Sequence, residues 1–217
     1  MSTIKADEVT AVSSDGSITI TGAGSGVVKL GDGALKFPDA DGSAGQFIKT
    51  DGSAQLAFAE AGGGGFTLGT EQATTSGTSV TFGSIPAGTT MIVVMLEAVS
   101  FTNGARIGVQ IGDAGGTETT GYTGCGSSSI GGGTLRTEGL TTQWNLMNDD
   151  SSSVCTINVM LSLKDSANFT WIQSHSGALN AVDSCWGGGA KSLTAELTQV
   201  TVMGGTFDAG SINIMYQ

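Results

Sequence analysis

Charge, proline and good helix formers are scarce in this chain of 217 residues. Charged residues make up 12%, about half of what a soluble domain carries. Eight Lys and Arg stand against nineteen Asp and Glu, for a net charge of −11. Phosphate backbones repel such a surface, which argues against nucleic-acid binding. No Lys/Arg cluster is present to read an anionic membrane. The longest apolar run, Met91 to Leu96, is far too short to cross a bilayer, so no membrane insertion is expected. The opening MSTIKADEV lacks the apolar stretch of a secretory signal.

Three cysteines, Cys125, Cys155 and Cys185, are an odd number without CxxC spacing. They predict neither a disulfide framework nor a zinc site, and they suit a chain made in a reducing cytoplasm. A single pair meeting in space stays open. His175 is the only histidine, and a nucleophilic triad usually needs one as its base. Neither G-x-S-x-G nor H-E-x-x-H occurs. The glycines after Trp186 are not followed by the Lys-Ser/Thr of a phosphate loop. No enzyme activity and no cofactor are expected.

What is abundant is glycine, with 36 residues, beside many Ser and Thr and a 39% hydrophobic share. Such a mixture disfavours helices and suits short strands joined by tight turns. Four Asp-Gly pairs (Asp15-Gly16, Asp32-Gly33, Asp41-Gly42 and Asp51-Gly52) punctuate the first 65 residues, each near a short β-like stretch. A lone two-stranded hairpin is marginal in water, so this segment needs other chains to complete it or stays unfolded. Phe37, Phe47, Ile48, Leu56 and Phe58 are the side chains three identical copies would pack around one axis. A small local core is the alternative.

The expected organisation is an N-terminal stem or arm over residues 1–61, a glycine linker at 62–65, and a β-rich head over 66–217. In the head, Val154 to Leu163 alternates apolar and polar with period two. Ala105, Ile107, Val109 and Ile111 do the same, as do Ile212, Ile214 and Tyr216. Thr90 to Ala98 is apolar on both faces, as a central strand is. Further strands are expected at 79–82, 143–146, 169–174 and 193–203, with a helical turn near 178–182. Eight or nine strands in this length predict an all-β fold, a β-sandwich of jelly-roll type.

Few residues suggest chemistry. Asn148-Asp149-Asp150-Ser151-Ser152-Ser153 gathers oxygens but lacks an EF-hand pattern. It reads as a solvated turn or a loose cation site, and Asp113 has the same two readings. Trp144 and Trp171 lie inside predicted strands and read as core. Tyr122 and Trp186, with Asp149 and Asp150, are the candidate receptor or partner contacts, since aromatic faces stack on sugars and anchor protein contacts.

GQFIKTDGSAQLAFAEAGGGG, residues 45–65, resembles the glycine-punctuated stem segments of bacteriophage tail-fibre and related virion proteins. Phe66 to Tyr122 is similar to a module of the same class. It is marked by Thr78-Ser79-Val80-Thr81-Phe82, Ile85-Pro86-Ala87-Gly88-Thr89, Thr102-Asn103-Gly104 and Gln110-Ile111-Gly112-Asp113. The resemblance covers about residues 15–122. It implies a virion protein without enzyme activity, a homotrimeric short fibre or spike joined to other virion proteins through residues 1–60. Its head would project from the particle and contact a host-surface glycan. The alternative is a capsid decoration protein whose arm adds strands to neighbouring capsid subunits.

Overall fold

Short runs of β-branched residues, broken by glycine, leave a chain few options besides strands. In the computed structural model every regular element among the described residues is a strand. The residues described are 29–30, 35–36, 42–50, 56–60, 65–102, 106–131, 133–147, 153–180 and 182–217. The chain divides into two units, Met1–Gly64 and Gly65–Gln217, at the run of four glycines.

The described residues of the first unit form two antiparallel strand pairs. Strand β1 (Lys29–Leu30) pairs with β2 (Leu35–Lys36), and β3 (Gln46–Thr50) pairs with β4 (Leu56–Glu60). Gly42 lies against the ring of Phe58, where a Cβ would come within 2.6 Å.

The second unit holds β5 (Thr67–Leu68), β6 (Gln72–Ala73), β7 (Ser79–Phe82), β8 (Met91–Phe101), β9 (Gly108–Asp113), β10 (Gly116–Thr117) and β11 (Thr123–Ile130). Then follow β12 (Thr134–Glu138), β13 (Trp144–Asn145), β14 (Cys155–Asp165), β15 (Thr170–Leu179), β16 (Asp183–Ser192), β17 (Gln199–Met203) and β18 (Phe207–Tyr216). The large sheet runs β12-β11-β16-β15-β14-β8-β18-β5, with β6 also on β18. The small one runs β10-β9-β17-β7, with β13 beside β9. Every pairing is antiparallel.

The order β7-β17-β9-β13 in one sheet, and β8 followed across by β11-β12 in the other, is that of a jelly roll. One strand of that plan is replaced by the meander β14-β15-β16, and β18 is added beyond β8. Three strands bring the chain out in the direction a single strand would have, so the antiparallel pairing on both sides survives.

The core lies between the sheets. Ile92, Val94, Leu96, Ile157, Val159 and Leu161 line it from the large sheet, and Val80, Phe82, Val109, Ile111, Val200 and Val202 from the small one. Full burial of each such side chain stabilises the fold by roughly 1.5–3 kcal/mol. The alternation expected in β14 is present: Cys155, Ile157, Val159 and Leu161 are buried, while Thr156, Asn158 and Met160 face outward.

Several expectations differ in detail. The helical turn near 178–182 is replaced by the end of β15, with Asn180 in left-handed backbone (φ 56°). The segment 193–203 forms a strand only from Gln199, and 143–146 only at Trp144–Asn145. Strands β11 and β16 occupy Ser- and Gly-rich sequence where none was expected. Glycine is required there by close approach. A Cβ on Gly187 would lie 2.3 Å from the Cys125 carbonyl oxygen and 2.5 Å from the His175 ring, and one on Gly189 would lie 2.0 Å from the Thr123 oxygen. The glycine run after Trp186 is thus the middle of a sheet strand.

Candidate functional site

The β3–β4 register sorts the stem residues. Phe47 pairs with Ala59, Ile48 with Phe58, and Thr50 with Leu56. Directly opposed residues share a face and neighbours along a strand do not. Ile48, Phe58 and Leu56 therefore share one face, and Phe47 takes the other. Among the described ones, this sets Phe47 apart from the expectation that they converge on one axis. Phe47 is 63% and Ile48 49% exposed, while Leu56 and Phe58 are half-buried. Phe37 lies outside the described residues, as do Asp149 and Asp150.

Tyr122 is not a surface contact. It is 1% exposed, and its ring meets Trp144 edge-on at 5.2 Å between centroids. Its hydroxyl accepts the Ile111 backbone N–H at 2.8 Å and donates to the Glu118 carbonyl at 2.9 Å. Burial raises its pKa above the ordinary phenol value. Lys191 lies over the ring and reaches Glu118 at 3.5 Å. Trp144 and Trp171 are core residues. Trp186 is 43% exposed on the outward face of β16.

His175 is buried on the inward face of β15. Its Nε2 donates to the Leu146 carbonyl at 2.8 Å, since that oxygen can only accept, and its Nδ1 accepts from the Gln173 amide at 2.7 Å. Burial pushes its pKa down to about 4, so the ring is neutral and both nitrogens are committed. It packs the core and has no serine or cysteine nucleophile among its hydrogen-bond partners.

Asp113 is likewise committed. One carboxylate oxygen accepts the Thr194 hydroxyl at 2.7 Å and the other the Gly115 N–H at 2.8 Å. These bonds, the Thr194 one foremost, hold its pKa below the usual carboxylate value. The residue fixes the β9–β10 turn to the loop before β17. Ser153, the one described member of the oxygen-rich 148–153 stretch, is buried. All three cysteines are free thiols, with Cys125 exposed and the other two buried.

A cavity of about 150 Å³ opens at one end of the second unit. Three connections build it: the β7–β8 loop (Pro86, Thr89), the β14–β15 turn (Ser166, Phe169) and the β16–β17 loop (Glu196, Leu197). Leu163 and Trp171 complete the walls. Phe169 is held in left-handed backbone at φ 47°, a conformation that costs a bulky residue roughly 1–2 kcal/mol. The Trp171 indole N–H has no hydrogen-bond partner among the described residues. Apolar walls with one carboxylate and no lysine or arginine suit an uncharged ligand that has both an apolar face and hydroxyls. Sequence reading missed this site because its parts come from three separate connections. The available signal was Asp165-Ser166-Ala167-Asn168-Phe169, a polar turn ending in an aromatic.

Compared with protein-family models, curated proteins and solved structures, the chain matches none.

Proposed function

We propose that this chain is a bacteriophage virion structural protein without enzyme activity, a homotrimeric short fibre or spike. Residues 1–60 anchor it, and the second unit projects and contributes to host-surface attachment. The observation that carries the reading is the β3–β4 hairpin, which leaves Phe47 and Ile48 open on opposite faces. A two-stranded hairpin with bare apolar side chains gains stability only when other chains cover it. The stem-like sequence of residues 45–65 supplies the virion context. The end cavity is the natural seat for a sugar ring, with its apolar face on Phe169 and a hydroxyl donating to Glu196. Three weak sites on one stem gain avidity through effective concentration.

Light scattering on purified protein tests the assembly: a trimer is expected, and removal of residues 1–60 should lower the mass. A monomer that orders only on assembled shells would overturn the fibre reading. The two-sided hairpin also gives the decoration reading specific support, since an arm laid between capsid subunits is covered above and below. Firm binding to capsids with silence on a glycan array would select it.

A further inference from the structure

The outward face of the large sheet carries a second feature. Register places Gly188 opposite Ser174, Ser174 opposite Met160, Met160 opposite Val93, and Val93 opposite Met215, in one row across β16, β15, β14, β8 and β18. All five therefore point outward together. Met91 and Met95 flank Val93 on β8, and Ile172 flanks Ser174 on β15. Four of the seven methionines lie on this face. Met160 is 40% and Ile172 45% exposed.

Between β11 and β18 the middle of this face carries no charge, and the charges stand at its ends: Glu97 and Asp208 at one, the β14 bulge at Lys164 and Asp165 at the other, with the Glu71 carboxylate bonded to Ser211 beside β6. The face also has two kinds of relief. Met91, Met95, Met160 and Met215 make a ridge that covers Val93 over β14, β8 and β18, whereas Ser174 and Gly188 leave a hollow over β15 and β16, walled by Ile172 on one side and Trp186 on the other.

We propose that this face is covered by a second copy of the chain, the ridge of one copy lying in the hollow of the next. Copies of a chain with net charge −11 repel one another where their charges meet, and the uncharged middle of this face is where they approach with least of that cost. Six strand spacings of about 4.8 Å and six residue steps of about 3.4 Å give a footprint of roughly 600 Å². Side-chain relief brings this close to the roughly 800 Å² per partner of a standard interface. Methionine suits such a contact because its flexible thioether adapts to the opposing surface. Ridge and hollow lie side by side on one face, so two facing copies can each seat a ridge in the other's hollow, and copies related head to tail can do so around a ring where the rotation closes. The number three rests on the homotrimer reading above, but the face itself does not.

Peroxide footprinting of the full-length protein tests this, with sulfoxide read by peptide mass spectrometry and assembly by light scattering. In the assembled protein Met160 should oxidise about as slowly as buried Met147, at least tenfold below its rate in denatured chain. Met160→Glu should lower the mass, or leave an assembly in which Met91, Met95 and Met215 oxidise at least tenfold faster. Val182→Glu, at an 87% exposed position, should change neither. Fast oxidation of Met160 in a stable trimer would overturn the face and leave the stem reading intact. Protection of Met160 in a monomer would mean that another part of the same chain covers it, and would overturn the second copy. Unprotected Met160 in a monomer would overturn both the face and the trimer.

Discussion

The hydroxyl of Tyr122 occupies a gap in the backbone ladder beside Ile111. On one edge, β9 is paired by β17. On its other edge, β13 covers Gly108 and Val109, and β10 covers Gly112 and Asp113. Between them the Ile111 N–H would have no strand to bond, and the phenol oxygen takes the hydrogen at 2.8 Å. Tyr122→Phe leaves that buried donor unpaired, which costs about 1–3 kcal/mol. Denaturant melts should show a lower midpoint with an unchanged slope, the shift multiplied by the slope giving that amount.

The buried imidazole makes stability depend on pH. His175 has an ordinary pKa of 6.5 that falls to about 4 in the fold. Between those values the unfolded chain binds the proton and the folded chain does not. Stability is therefore complete above about 6.5 and falls as pH drops towards 4. Each pKa unit corresponds to about 1.4 kcal/mol, so the full effect is on the order of 3 kcal/mol. His175→Gln should flatten this slope in melts taken from pH 7 to 4.5, whatever it does to stability at pH 7.

Gly187 and Gly189 should resist replacement by alanine. Each new Cβ would meet a backbone oxygen of β11 within 2.3 Å, and backbone cannot step aside as a side chain does. Overpacking of this kind costs about 1–3 kcal/mol. Thermal melts should show a lower midpoint for both variants. Gly83→Ala, where a Cβ meets nothing within 4 Å, should change it little.

The thiols should divide by burial. Cys155 is 0% and Cys185 1% exposed, and burial pushes the Cys185 pKa up to about 12. A thiol reagent at pH 8 should leave both unmodified while the chain is folded. Cys125 should react in dissociated protein, and all three after denaturation. Intact-mass spectra give the count.

Periodic strands were the readable part of this sequence. Val154 to Leu163 and Ile212 to Tyr216 alternate because one face meets the core and the other does not, and the alternation is visible without coordinates. Strands β11 and β16 were invisible for the opposite reason. Their side chains were removed to let backbones and the His175 and Trp144 rings approach, so Thr123-Gly124-Cys125-Gly126 and Gly187-Gly188-Gly189 carry no hydrophobic period. Tyr122 misled because an aromatic beside glycines reads as exposed, while its burial depends on a gap in β9 that only the pairing reveals. Trp186 read as exposed and is. Phe47 and Ile48 were legible as apolar stem residues, but their opposite facing follows from the β3–β4 register.

The meander β14-β15-β16 stands where a jelly roll needs one strand. Because hairpins enter a sheet in pairs of strands, the fold depends on the parity of strands at this point and tolerates changes in their number. Such a sheet can be widened or narrowed by whole hairpins while the small sheet, the core and both ends of the unit keep their places. The width of the outward face is therefore a quantity that evolution, or a designer, can adjust without rebuilding the molecule.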